Sequence, residues 1–375
     1  MSTDSYADLE KHYAGDSWAE AGHNAYGVVK QLYALKQQNR HVKVMYSVGG
    51  FSASQQGHFA RAASTEQGRQ RFAQSAVQVI ADWGFDGLDI DWEFPSTQGE
   101  ARQFVQLLEA CRGQLDKYAA RLGQEYRYEL SVASSAGRKN YGKLPLKDMD
   151  AVVDAWYLMA YDFAGTWDST AGHQSSLFRD ETNPNGTKFW TEQAVADYIA
   201  AGVSSRKIIL GIPLYGRSFA RAAGPGSGFS GPGGGSVQDG VWLYRDLPRP
   251  GAREYTSDAL GAAWSIGNSS QAHDGGAGAA GGAGGGGGAA AAAGQEAAAT
   301  TEFVSYDNPR TVRTKAAYIQ QRQLGGAFYW EASGDKNGSD SLVGIMAAAL
   351  RRHPTTNNML SYPESRYDNI RNGLR

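Results

Sequence analysis

Short runs rich in β-branched and aromatic residues recur along the chain, and each is followed by a longer stretch whose apolar positions return every three or four residues. Six runs predict strands: VKVMYSV (42–48), FDGLDIDW (85–92), YELSVA (128–133), AWYLMAY (155–161), KIILGIP (207–213) and GAFYW (326–330). The helical spacing predicts helices over 24–38, 65–81, 100–118, 191–201 and 311–323. Side chains alternate between faces along a strand but return to one face about every 3.6 residues of a helix, which separates the two patterns. Strands alternating with helices specify a parallel sheet with helices outside it. Several strands run directly into polar or glycine-rich residues, and the carboxyl ends of strands are where α/β folds carry functional groups.

The alternation stops between Tyr215 and Asp307. Gly, Pro and Ser become dense there, and short β-like pieces (GVWLYRDL, FVSYDNP) replace the helical pattern. This predicts a small insertion domain. Inside it, every residue of 275–294 is Gly or Ala. Such a run buries too little apolar area to offset its ordering entropy, so it is either a flexible loop or a stand-in for side chains of unknown identity.

FDGLDIDWEFP carries the most chemistry. On a strand, Asp89, Asp91 and Glu93 share one face, and Leu88, Ile90 and Trp92 take the other. Three carboxylates in a row repel one another and disfavour strand pairing. The arrangement makes sense if protons are shared along the row, which raises the last pKa toward neutrality. A carboxylic acid still protonated near pH 7 is what glycosidic bond cleavage requires of its proton donor. The bland alternatives are a solvated edge strand or a cation site, although a cation site would draw on loop carbonyls as well.

Composition narrows the partners. The 375-residue chain suits one large domain with an insertion, or two ordinary domains, and its net charge of −2 points to no nucleic acid and no membrane partner. With Cys111 as the one cysteine, no internal disulfide forms, and its place in an amphipathic helix predicts a small buried apolar residue. The seven His residues have no metal-ligand spacing, so no metal or cofactor is expected, and His173 reads as a hydrogen-bonding loop residue. No apolar run is long enough to span a bilayer, and MSTDSYADLEKHY lacks the basic and apolar segments of a signal peptide.

DGLDIDWE resembles the D-x-x-D-x-D-x-E signature of family 18 glycoside hydrolases, the chitinase family. YSVGG (46–50) resembles the S-x-G-G motif and LMAYDFAG (158–165) the M-x-Y-D motif. GIPLYGRSF (211–219) and GGAFYWEASGD (325–335) are similar to the last two strand motifs, and YPESRYDNIRNG is similar to the end of secreted fungal members. The resemblance implies a (β/α)8 TIM-type barrel. Residues 1–216 and 308–375 would form the barrel and 217–307 an α+β insertion domain. The S-x-G-G strand is the family's third, so the chain would contribute the last six strands and leave two sheet edges exposed.

The same resemblance implies a hydrolase that cuts β-1,4 bonds of chitin and chito-oligosaccharides, working as an extracellular monomer. Glu93 would protonate the glycosidic oxygen while the substrate's own acetamido oxygen closes onto the anomeric carbon, a substrate-assisted route. Asp91 would take the acetamido N–H, Asp89 would hold the proton balance of the row, and Tyr161 would donate to the acetamido oxygen. Ser47 would sit behind Asp89. Asp162, Tyr215 and Arg217 would line the pocket with Met159, and Trp330 would floor the subsite where the bond breaks.

By themselves, Tyr161 and Trp330 end apolar runs that read as core, and Met159 reads as packing. Asp162, Tyr215 and Arg217 also fit a rim hydrogen-bond cluster, and Trp167 fits either an exposed sugar platform or a buried ring. Two aromatic positions depart from the family pattern: Phe51 stands where Trp is usual and Phe94 where Tyr is common. A chitinase-like lectin and an endo-β-N-acetylglucosaminidase are the competing functions. Glu93 disfavours the lectin, because such proteins usually lose this glutamate, and the insertion disfavours the second.

Overall fold

The computed structural model describes residues 2–268, 301–351 and 356–374, so the Gly/Ala run of 275–294 lies outside the described residues. The six predicted strands pair in parallel: β1 (Met45–Gly49), β2 (Gly87–Asp91), β3 (Glu129–Ser135), β4 (Ala155–Met159), β5 (Ile208–Pro213) and, last in the sheet, Gly326–Trp330. Between β5 and that last strand the chain builds a second, antiparallel sheet. It uses β6 (Tyr215–Ala220), β7 (Val241–Leu243), β8 (Arg253–Ser257), β9 (Ala262–Asn268) and β10 (Thr301–Tyr306), in the order β7-β6-β10-β9-β8. Gly326–Trp330, now β11, then pairs with β5. The first sheet is a curled parallel half-barrel of six strands, an incomplete (β/α)8 barrel carrying a sheet insertion. Within the described residues, β1 and β11 form its open edges. A groove of about 570 Å³ runs along the β1 edge, lined by Val28, Leu32, Phe59 and Trp83 among others.

Helices pack on the outer face: α1 (Gly27–Gln38), α2 (Phe51–Gln55), α3 (His58–Ala63), α4 (Glu66–Trp83) and α5 (Gln98–Arg121), followed by shorter ones and by Pro309–Gln321 after β10. Caps set the starts. Thr65 accepts the Gly68 N–H at 3.0 Å to open α4, and Thr97 accepts the Glu100 N–H at 3.1 Å to open α5. Pro309 takes the first turn of its helix behind an Asn308 cap, two residues before the apolar period begins at Thr311. Leu88, Ile90 and Trp92 leave β2 on the helix side, where Trp92 stacks on Phe59 with ring centroids 5.5 Å apart and leans on Phe104. Cys111 is buried in α5, and desolvation pushes its thiol up to about 12.

Asp86 closes the bottom of this half-barrel. It is fully buried and paired with the equally buried Lys36 of α1 at 2.9 Å. It also accepts from the Val44 N–H at 2.7 Å, the Met359 N–H at 2.8 Å and the Tyr126 hydroxyl at 3.1 Å. Lys36 gives its other protons to the Gly84 carbonyl and the Tyr362 hydroxyl. Burial still pulls the Lys36 pKa down to about 8, against the upward pull of Asp86. One carboxylate thus fastens α1, the entries to β1 and β2, and the C-terminal segment.

Candidate active site

β2 delivers the acids. Asp89 is almost fully buried and accepts from the Ser47 hydroxyl of β1 and the Ser131 hydroxyl of β3, each at 2.7 Å. Burial raises its pKa, with both hydroxyls pulling the other way. Asp91 is lifted to about 6, first by burial and then by the charge of Asp89, and its Oδ1 is buried without a hydrogen-bond partner among the described residues. Glu93 reaches about 7. Burial is the largest cause, followed by Asp91 and Asp162, and a hydrogen bond from the Phe51 backbone opposes them. The last acid of the row therefore keeps its proton to neutrality, by desolvation more than by the sharing expected from the sequence.

The turn after β1 braces this segment. The Gly50 N–H donates to the Asp91 carbonyl at 2.9 Å, and the Ser54 hydroxyl accepts the Glu93 N–H at 2.9 Å. Gln55 donates to the Glu93 carbonyl at 3.2 Å. Gly49 has to be glycine here, because a Cβ would lie 2.2 Å from the Asp91 carbonyl and 2.5 Å from the Phe59 ring. Ser54, Gln55 and Ser131 carry no sequence signal. They do their work through contacts between segments far apart in the chain.

The second cluster comes from the ends of β4 and β6. Tyr161 follows β4, half-buried and edge-on to Tyr215 and Phe328. Burial holds its hydroxyl well protonated, and the four nearby carboxylates reinforce this. Gly211 of β5 leaves room for the ring, since a Cβ there would come within 2.7 Å of it. Asp162 accepts from the Tyr215 hydroxyl at 2.6 Å and from Arg217 twice, at 2.9 and 2.7 Å. Met159 is half-buried at the end of β4.

Three aromatic rings are exposed around these clusters: Phe51 at 63%, Trp167 at 60% and Trp330 at 60%. The Arg217 guanidinium lies over the Trp167 ring at 5.0 Å, which joins Trp167 to the Asp162 cluster. The Trp330 carbonyl accepts the Leu214 N–H at 2.7 Å, tying the end of β11 to the β5–β6 junction.

His173 departs from the sequence expectation. It is buried edge-on against Trp264, with Nδ1 unpartnered among the described residues, and desolvation lowers its pKa to about 4. It is a neutral core ring. No group of three His, Cys, Asp or Glu among the described residues is placed to hold a metal ion, and no described helix is long and apolar enough to cross a membrane.

The sequence model described as Glycosyl hydrolases family 18 matches residues 3–335. The chain belongs to family 18 of the glycosyl hydrolases. It is 43% identical over 370 residues to Endochitinase 1 of Metarhizium robertsii, covering 99% of this chain and 80% of that protein. It is 43% identical over 374 residues to Chitinase 1 of Aphanocladium album, covering 100% of this chain and 81% of that one. Among solved structures, the catalytic domain of psychrophilic chitinase B from Arthrobacter TAD20 superposes with a TM-score of 0.75 at 28% identity, over 93% of this chain and 80% of that chain. In this family 18 chain the acids lie at the carboxyl end of β2, the end of the half-barrel from which the second sheet departs.

Proposed function

We propose that this family 18 hydrolase is a chitinase that cleaves β-1,4 bonds between N-acetylglucosamine units of chitin and chito-oligosaccharides. The observation that carries the reading is Glu93, a carboxyl that holds its proton to about pH 7 beside the half-buried Asp91, whose Oδ1 is buried without a partner among the described residues. A proton donor at neutral pH serves the leaving oxygen. Asp89 is buried and bonded to two serines, and Asp91 is assigned to the acetamido group, so in this reading neither serves as the nucleophile. The 2-acetamido oxygen of the substrate takes that part. Asp91 turns to accept the acetamido N–H and steadies the cationic ring that forms, while Tyr161 donates to its oxygen. Asp162, Tyr215 and Arg217, with Ser47 and Met159 behind, shape the pocket. Phe51, Trp167 and Trp330 lay flat apolar faces along the sugar path. The division into 1–216, 217–307 and 308–375 belongs to the same reading, as does work outside the cell by a monomer on an insoluble polymer.

Release of fluorophore from a fluorogenic chitobioside tests the proposal, and absence of turnover by the wild-type chain at every pH from 4 to 8 would overturn it. Replacing Trp330 with Ala should raise KM about tenfold, which corresponds to about 1.4 kcal/mol of lost ring-to-sugar contact. An unchanged KM would remove Trp330 from the subsite.

Asp89→Asn should move the acid limb of the pH–rate profile to lower pH, because the charge that helps raise Asp91 is gone and Asp91 ionises earlier. The basic limb, set by Glu93, should shift far less, since Asp89 is not among the groups that raise it. A rate lowered equally at every pH would make Asp89 a scaffold and nothing more.

A further inference from the structure

Gln174 lies in the loop after β4, fully buried and outside every motif described above. Its side-chain Nε2 donates to the Tyr215 carbonyl at 2.7 Å and to the Ser305 carbonyl at 3.2 Å. Its backbone takes part as well. Its N–H donates to Ser305 Oγ at 3.0 Å, and its carbonyl accepts the Phe163 N–H at 2.9 Å. The β6–β10 pairing ends at Ser305 opposite Arg217, so Gln174 binds the strands together where their own ladder stops. The amide has one workable orientation. Reversing it would aim Oε1 at two carbonyl oxygens, and in the present orientation Oε1 has no partner among the described residues.

The segments it clamps hold the Asp162 cluster. Phe163 is the residue after Asp162, and β6 carries Tyr215 and Arg217, the two donors to the Asp162 carboxylate. Asp162 is at φ 58°, a left-handed conformation that needs support from its neighbours. The Phe163–Gln174 bond supplies it one residue downstream.

We infer that Gln174 is a positioning residue for the catalytic acid: it pins the Asp162 loop to β6 and β10 and so keeps the Asp162 carboxylate within electrostatic reach of Glu93. The inference rests on the chitinase reading and names a residue that reading does not contain. The groups facing Glu93 are Asp91, with Asp89 behind it, from β2, and Asp162 and Tyr161 beyond β4. The Phe51 N–H of α2 donates to Glu93, and Tyr215 and Arg217 of β6 reach Asp162. Of the carboxylates, Asp162 alone hangs on the clamp. If Asp162 drifts, the Glu93 anion is less repelled and Glu93 loses its proton at lower pH.

Gln174→Met keeps the length of the side chain and donates nothing. Its basic limb for chitobioside kcat/KM should move about 0.3–1 pH unit lower, with kcat down about tenfold and KM within about threefold. In an Asp162→Asn background the same substitution should leave the basic limb in place, because the charge it positions is gone. A lowered melting temperature with the pH profile unmoved would overturn the inference and leave Gln174 a packing residue. If Gln174→Met does not fold, Gln174→Asn keeps the donors on a shorter stem that reaches one carbonyl. It should shift the limb in the same direction by less, and an unmoved limb there overturns the inference equally. Wild-type turnover separates the two claims: with none, the chitinase reading fails, and with turnover and an unmoved limb, only the role of Gln174 fails.

Discussion

Glu93→Gln should lower chito-oligosaccharide turnover by about 10²–10⁴-fold while leaving Kd within about threefold, because the amide keeps the shape of the acid and has no proton to give. The same substitution should stabilise the protein at high pH. Glu93 in the fold has its pKa raised from 4.5 to about 7. The folded chain therefore binds this proton more tightly than the unfolded chain. Its contribution is fully present below the unfolded value and is lost as pH rises through the folded one. Gln has no such loss, so at pH 8 the variant should be more stable by about 1–2 kcal/mol, a figure discounted for the partial exposure of Glu93. At pH 4 the difference should vanish. Calorimetric melting at the two pH values reads the stability difference, and single-turnover assays read the rate. Wild-type turnover by the variant would remove Glu93 as the acid, and an equal stability gap at both pH values would refute the account of its proton affinity.

Asp86→Ala should destabilise the fold by about 3–5 kcal/mol, since it leaves a buried ammonium without its counter-charge. It also strands the Val44 and Met359 N–H groups and the Tyr126 hydroxyl, all of which Asp86 accepts. Adding Lys36→Met should recover part of the loss by removing the orphaned charge, the signature of a coupled pair. Urea denaturation of the two single variants and the double variant measures this. A loss under about 1 kcal/mol for Asp86→Ala would mean that water reaches the site and that the pair is not a hub.

The six strands are legible because their apolar runs are short, β-rich and separated by helical periods. Their ends are less so. The pattern extends the fourth strand to Tyr161, but pairing stops at Met159, where the backbone turns to present Tyr161 and Asp162 to the site. The acid row is legible because like charges on one strand face have no packing rationale. Lys36, Ser54, Gln174 and the C-terminal segment 358–370 are not, since each has value only beside a partner far away in the chain. Lys36 alone looks like a helix-surface lysine. Only the fold shows that it is fully buried against Asp86 and that Tyr362, from the far end of the chain, caps it.

By itself, then, the sequence determined the alternation of strand and helix, the break at Tyr215 and the single face shared by Asp89, Asp91 and Glu93. All of these are local and follow from side-chain periodicity along a regular backbone. Tertiary structure decided how deeply each acid is buried and which charges and donors surround it, and so how far each pKa is raised, because both depend on what other segments lay over the row. It decided that Trp167 and Trp330 are exposed, that His173 is a neutral core ring, and that Asp162 is held from β6 and not from its own strand. Burial and through-space hydrogen bonds are properties of the packed molecule, and no window along the chain contains both partners.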